Sequence, residues 1–323
     1  MLLNVWATLT VLSYLTGPLT TSARHVQSEY AYRDLLGSPL GGGGGGGGDQ
    51  KPLPLPPDND GVHLAVGPKC GKLSGNTADI NAGIDPGKIK TIVSFGDSYT
   101  DGGKDDGSTL SPPILVPPSP LAGVKTFLGQ NNDLSPETTL YSIFFGINDY
   151  LASLQDGDHM PQAAQTLLDQ IQILASPPTN ARNFMVLDVY GRGTTAPSGE
   201  AFKQTIYTGL SDYHTTGIQV NGTKTPVKVN ISYINFANIW DGVLGDDPGY
   251  KAFGFTSTDS CTQCTADLGC TTIGMCDDPN HYFYWIPGHP SKQTDRIMAD
   301  YVGEVWNQCR VEEAQISLSF PSI

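Results

Sequence analysis

KIKTIVSFGDSYTDGG, Lys88–Gly103, is the stretch from which the fold can be read. Ile89, Ile92, Val93 and Phe95 make a short, almost continuous apolar run. That is the pattern of a strand buried on both faces inside a parallel sheet. The run stops at Gly96-Asp97-Ser98, and Gly102 and Gly103 follow. Open α/β sheets bind ligands just past the carboxyl ends of their strands, so a serine at this point faces a crevice from a rigid base. The competing reading is a serine that only caps the turn.

Downstream the pattern alternates. Thr138–Ile147 (TTLYSIFFGI), Arg182–Tyr190 (RNFMVLDVY) and Val227–Phe236 (VKVNISYINF) read as strands. Pro161–Ala175 carries Ala164, Leu167, Leu168, Ile171 and Leu174 at helical spacing. Glu200–Gly217 repeats this with Phe202, Ile206, Leu210 and Tyr213, and Ser291–Gln308 with Ile297, Tyr301, Val302, Val305 and Trp306. Ala237–Leu244 reads as a short helix. Such alternation predicts a parallel sheet with helices on both faces. One crossover is not apparent. Between the first two strands, Leu110–Leu121 (LSPPILVPPSPL) is too rich in proline for a helix interior, and Val124–Gln130 is too short for a convincing helix. The expectation is that a strand and helices are missing between residues 123 and 124.

The ends and the cysteines bear on the compartment. Met1–Ala23 has a short apolar core and a small-residue end, Thr21-Ser22-Ala23, as a secretory leader does, with a membrane anchor as the alternative. Residues 24–68 hold the glycine run Gly41–Gly48 and the proline-rich Lys51–Pro57, a linker composition expected to be disordered. The folded domain is expected over residues 69–310, with a tail at 311–323. Asn221-Gly222-Thr223 and Asn230-Ile231-Ser232 are glycosylation acceptors in a secreted chain. Six cysteines suit an oxidising compartment. Cys70 and Cys309 stand at the two ends of the domain, as a staple would. Cys261, Cys264, Cys270 and Cys276 lie in the loop-rich insert Gly245–Tyr284, where disulfides are favoured over zinc and three pairings remain open. Eighteen basic against 32 acidic residues give a net charge of -14, which argues against nucleic acid and anionic membrane and suits a neutral substrate.

Three polar positions stand out. Ser98 needs a base to become a nucleophile. His289, in Trp285–Ser291 just before the last helix, is the histidine best placed to reach it. His281 is its competitor, and His25, His63, His159 and His214 lack supporting context. Asn148, in Gly146-Ile147-Asn148-Asp149, would lie near Ser98 if the two strands are parallel neighbours, donating to a developing oxyanion or merely capping a helix.

Taken in order, Phe95-Gly96-Asp97-Ser98-Tyr99, Gly146-Ile147-Asn148-Asp149 and His289-Pro290 before the final helix resemble the SGNH (GDSL-like) hydrolase superfamily. Within it the likeness is to secreted fungal esterases of carbohydrate esterase family 16, and it covers about Cys70–Cys309. The resemblance implies a flavodoxin-like three-layer α/β/α sandwich and ester hydrolysis through an acyl-enzyme, with acetyl esters of carbohydrates or small acyl esters as substrates. It implies Ser98 as nucleophile with its own N–H in the oxyanion hole, Asn148 as a second donor, His289 as base, no metal or organic cofactor, and a secreted monomer. Two departures stand against it. The acid usual three residues before the histidine is replaced by Ile286, leaving Asp277 and Asp278 as candidates by proximity in sequence. The block carrying an oxyanion-hole glycine is absent, Gly123 being the last residue before the gap. A catalytically weak or inactive binding protein on the same fold is therefore the alternative, and a GDSL lipase the third reading.

Overall fold

In a computed structural model, residues 60–100, 120–220, 223–265, 269–271 and 274–311 are described. The leader, most of the linker, Gly102, Gly103, most of the proline-rich run, the Asn221 acceptor and all of the tail but Val311 lie outside them.

The protein is mixed α/β. Its main sheet contains β1 (Ile80–Ala82), β2 (Thr91–Gly96), β3 (Thr139–Phe144), β4 (Asn183–Asp188) and β5 (Asn230–Asn235), in the order β1-β5-β4-β3-β2. β2 to β5 pair in parallel, and β1 closes one edge antiparallel to β5. The described helices are α1 (Pro120–Gly129), α2 (Ile147–Asp156), α3 (Met160–Ala175), α4 (Pro197–Thr215), α5 (Ala237–Leu244) and α6 (Lys292–Gln308). Side chains alternate across a pleated strand, and here each face meets its own core. Tyr141, Ile143, Phe184 and Val186 pack with α1, α3 and α4 through Val124, Leu167, Ile171, Phe202 and Ile206. Leu140, Phe144, Met185 and Leu187 pack with α5 and α6 through Trp240, Ile297, Tyr301, Val305 and Trp306. Among the described residues no helix is long and apolar enough to cross a membrane.

Three expectations change. β2 is an edge strand, with Thr91, Ile92 and Val93 half-exposed and Ser94 exposed, because no described strand pairs with its outer side. The crossover to β3 does contain a helix. α1 starts inside the proline-rich run because Pro120 occupies the first turn, where a missing N–H costs nothing. It runs unbroken through Gly123 and Val124, and Val124 is buried. The folded part also begins before residue 69. Val62 is buried, Leu64, Ala65 and Val66 pack on the second core, and Asp60 pairs with Arg296 at 3.0 Å.

The staple exists as a disulfide between Cys70 and Cys309. Beside it, the buried Asp79 carboxylate accepts from Lys69 N, Asn235 N, Asn238 Nδ2 and Tyr301 Oη, which ties the amino-terminal segment to the end of β5, to α5 and to the middle of α6. The Asn230 acceptor lies at the start of β5 and is half-buried. Its Nδ2 donates to the buried Asn183 Oδ1 at 2.9 Å, and its acceptor partner Ser232 is fully buried within β5.

The insert builds a second sheet from β6 (Ser257–Ser260), β9 (Tyr282–Ile286) and β10 (His289–Pro290), ordered β10-β9-β6, and a hairpin of β7 (Gln263–Thr265) with β8 (Gly269–Thr271). Cys261 and Cys276 are disulfide-bonded, and the hairpin register sets Cys264 opposite Cys270.

Candidate active site

The site forms where β2 and β3 end. They run in parallel register from Thr91↔Thr139 to Gly96↔Phe144, so the residues that follow each strand emerge side by side. Gly96 is required there. A Cβ at that position would collide with Thr100 Oγ1 and press on the Phe144 carbonyl. The chain turns at once, Thr100 N donating to Asp97 O at 3.0 Å, and leaves Ser98 exposed at the tip.

His289 arrives from the other direction. β9 and β10 pair antiparallel, with His289 opposite Ile286. Pro287 and Gly288 make the turn, Gly288 at φ 70°, the proline-then-glycine arrangement of a type II turn. Phe283 on β9 is buried against Trp240, and Ser291 caps α6 just beyond the histidine, so both flanks of the turn are fixed. The imidazole Nε2 stands 2.9 Å from Ser98 Oγ, across 191 residues of sequence. Its Nδ1 is 3.2 Å from Pro287 O. A tautomer with the proton on Nδ1 satisfies both contacts at once. It donates to the carbonyl and leaves Nε2 to accept from the serine hydroxyl.

The acid expected from Asp277 or Asp278 is not at this ring. Asp278 instead takes the competing histidine, its Oδ2 lying 2.8 Å from His281 Nδ1, while His281 Nε2 meets Asp60 O at 2.6 Å. Asp278 holds His281 well, and the hydrogen bond to it pushes the His281 pKa up. No contact joins Asp277 to His289 among the described residues.

Asn148 is the second residue of α2, and its Nδ2 donates to Asp97 Oδ2 at 3.4 Å. Asp97 also accepts from Tyr99 N at 3.0 Å. Burial pushes the Asp97 carboxyl up, against the pull of that amide and of His289, and burial does the same to Asp149. Gly123 lies within α1 and faces the Phe95 ring.

No family model and no curated protein matches the chain.

Two residues that the sequence did not announce complete the surroundings. Tyr99 Oη donates to Gly288 O at 2.5 Å, and Arg192 Nη1 donates to the same oxygen at 3.0 Å. The Tyr99 ring is 5.6 Å from the His289 ring. Beside the turn opens a cleft of about 300 Å³. Its walls are Tyr150, Leu151 and Leu154 of α2, Tyr190, Arg192 and Thr194 after β4, and Tyr284 and Gly288 of the hairpin. No group of three or more metal-ligating side chains occurs among the described residues.

Proposed function

We propose that this chain is a serine esterase of the SGNH (GDSL-like) type, acting on carboxylic esters, with acetylated carbohydrates as the substrate class. The observation that carries this reading is the 2.9 Å contact between His289 Nε2 and Ser98 Oγ at the carboxyl ends of parallel strands. In the proposed reaction His289 takes the hydroxyl proton as Ser98 Oγ attacks the ester carbonyl. The Ser98 N–H and Asn148 Nδ2 receive the developing oxyanion. The imidazolium then gives its proton to the leaving alcohol. Water enters by the same base and releases the acid from the acyl-serine.

Among the described residues no carboxylate hydrogen-bonds to His289, which weakens this scheme without removing it. In a triad the acid fixes the tautomer and balances the imidazolium charge. Pro287 O does the first and, being neutral, little of the second.

Ser98→Ala is expected to abolish hydrolysis of an activated acetate ester while circular dichroism stays unchanged. Full residual turnover would remove Ser98 from the mechanism. Ile286 and the outer edge of β2, which no described strand covers, favour a second reading, a weak or inactive binding protein. A serine-directed phosphonate separates the two: the esterase is labelled at Ser98, and a folded binder is not. Leu151 and Leu154, 37% and 65% exposed at the cleft wall, favour longer acyl chains as a third reading, tested by comparing acetate with octanoate esters.

A further inference from the structure

The turn that carries His289 is held by two donors from different parts of the chain. We propose that Tyr99 and Arg192 are positioning residues: they clamp the Gly288 carbonyl and thereby aim the imidazole at Ser98, a ring that hydrogen-bonds to no carboxylate among the described residues. This rests on the reading of Ser98 and His289 as nucleophile and base.

The geometry is a pair of rungs. Ser98 Oγ meets His289 Nε2, and the next residue, Tyr99, meets the preceding one, Gly288. Two consecutive residues of the nucleophile's turn are thus cross-linked to two consecutive residues of the base's turn. Arg192 adds a second donor on the same oxygen, which uses both lone pairs of the Gly288 carbonyl. The Gly288–His289 peptide plane is fixed as a result. With it is fixed the direction in which the ring leaves the backbone, between Pro287 O on one side and Ser98 on the other.

Each partner shows features suited to this use. Arg192 is a non-glycine residue at φ 47°, a left-handed conformation that tends to persist where surrounding structure imposes it for function. A Cβ at residue 288 would run into Arg192 Nη1, so glycine there lets the guanidinium reach the carbonyl. Tyr99 is wedged between Phe144, at 5.7 Å, and Trp240, at 6.1 Å, which keeps its hydroxyl on one heading. Burial pushes the Tyr99 phenol up, so it remains a donor across the working pH range.

The test uses the full chain with Tyr99→Phe, Arg192→Met, the double variant, and Arg192→Lys. Each of the first two is expected to lower kcat about tenfold with KM held within about twofold, because a misaimed base slows chemistry and leaves binding alone. Acting on one carbonyl, the two losses combine to less than their product. Arg192→Lys, which retains one donor, recovers part of the rate. A rise in KM alone would make Arg192 a substrate contact and overturn the clamp, as would a double variant within about twofold of the parent kcat. The His289 Nδ1–H resonance is the second readout. It is expected to be sharp in the parent and in Ser98→Ala, and lost to solvent exchange in the double variant. If the parent neither hydrolyses esters nor takes the phosphonate, the esterase reading falls by itself. The resonance still decides, since its survival in the double variant would overturn the clamp.

Discussion

Among the described residues two histidines are engaged through both ring nitrogens, and their surroundings differ. His281 spans Asp278 and the Asp60 carbonyl, a bridge between the insert and the amino-terminal segment. His289 spans a carbonyl and a serine hydroxyl. Replacing His281 by alanine is expected to cost on the order of 1 kcal/mol of stability in urea melts, with kcat near that of the parent. Replacing His289 by alanine is expected to leave the melt almost unchanged and to lower kcat by about 10³-fold or more, since the serine loses its base. Asn148→Ala falls between them, at about 10²-fold in kcat if its amide receives the oxyanion. Equal effects of the two histidine variants on acetate ester turnover would undo the assignment.

At the scale of elements, the Cys70–Cys309 bond closes 239 residues and the Cys261–Cys276 bond only 15. Chain-entropy arguments give about 5 kcal/mol for the first and about 3 for the second. Replacing Cys70 and Cys309 together by alanine is therefore expected to lower the urea midpoint more than replacing Cys261 and Cys276. The reverse order would mean that the insert, not the closure of the domain, limits stability. The elements differ in how far sequence revealed them, and period explains most of it. α3, α4 and α6 were legible because long helices repeat their apolar face several times, and Leu167, Ile171, Phe202, Ile206, Ile297 and Val305 are buried as that face requires. α1 was hidden because its first turn lies among prolines, and β1 because three residues carry no period. β2 has the pattern of an interior strand because Ile92, Val93 and Phe95 are apolar, yet composition does not tell whether a neighbour strand exists to cover them. In the site, Ser98, Asn148 and His289 were legible from their places at strand ends and before the last helix. Tyr99 and Arg192 were not, since their contacts to Gly288 join residues 189 and 96 positions apart. Nor was Pro287, whose contact with His289 is made through its backbone, where every residue carries the same oxygen.

The whole molecule carries an acidic surplus, and burial raises several of its carboxyls. Asp188, 1% exposed at the end of β4, accepts from Tyr190 N at 3.4 Å through Oδ1, and its Oδ2 has no partner. Burial pushes its carboxyl up to about 7, although Lys203 opposes this. Between the ordinary value of 3.8 and about 7, the folded chain keeps a proton that the unfolded chain has released, so raising the pH through that window removes stability. Asp79, Asp97 and Asp149 are also raised, chiefly by burial, and act with the same sign. His281, raised by Asp278, adds stability at low pH that is lost as the pH climbs through its folded value. Asp60 opposes them. Its carboxyl is lowered, Arg296 and the Val62 amide outweighing burial, and its contribution disappears only as the pH falls below the ordinary carboxylate range. Self-repulsion from a net charge of -14 grows as the pH rises and adds to the trend. The protein is therefore expected to melt highest in mildly acidic buffer, with Tm falling steadily from pH 5 to pH 8. Asp188→Asn, neutral throughout, should make that fall shallower while keeping the same direction. A Tm that is flat or rises over this range in the parent, or a slope that Asp188→Asn leaves untouched, would show that these buried carboxyls are solvated in solution and that their burial does not set the stability of the chain.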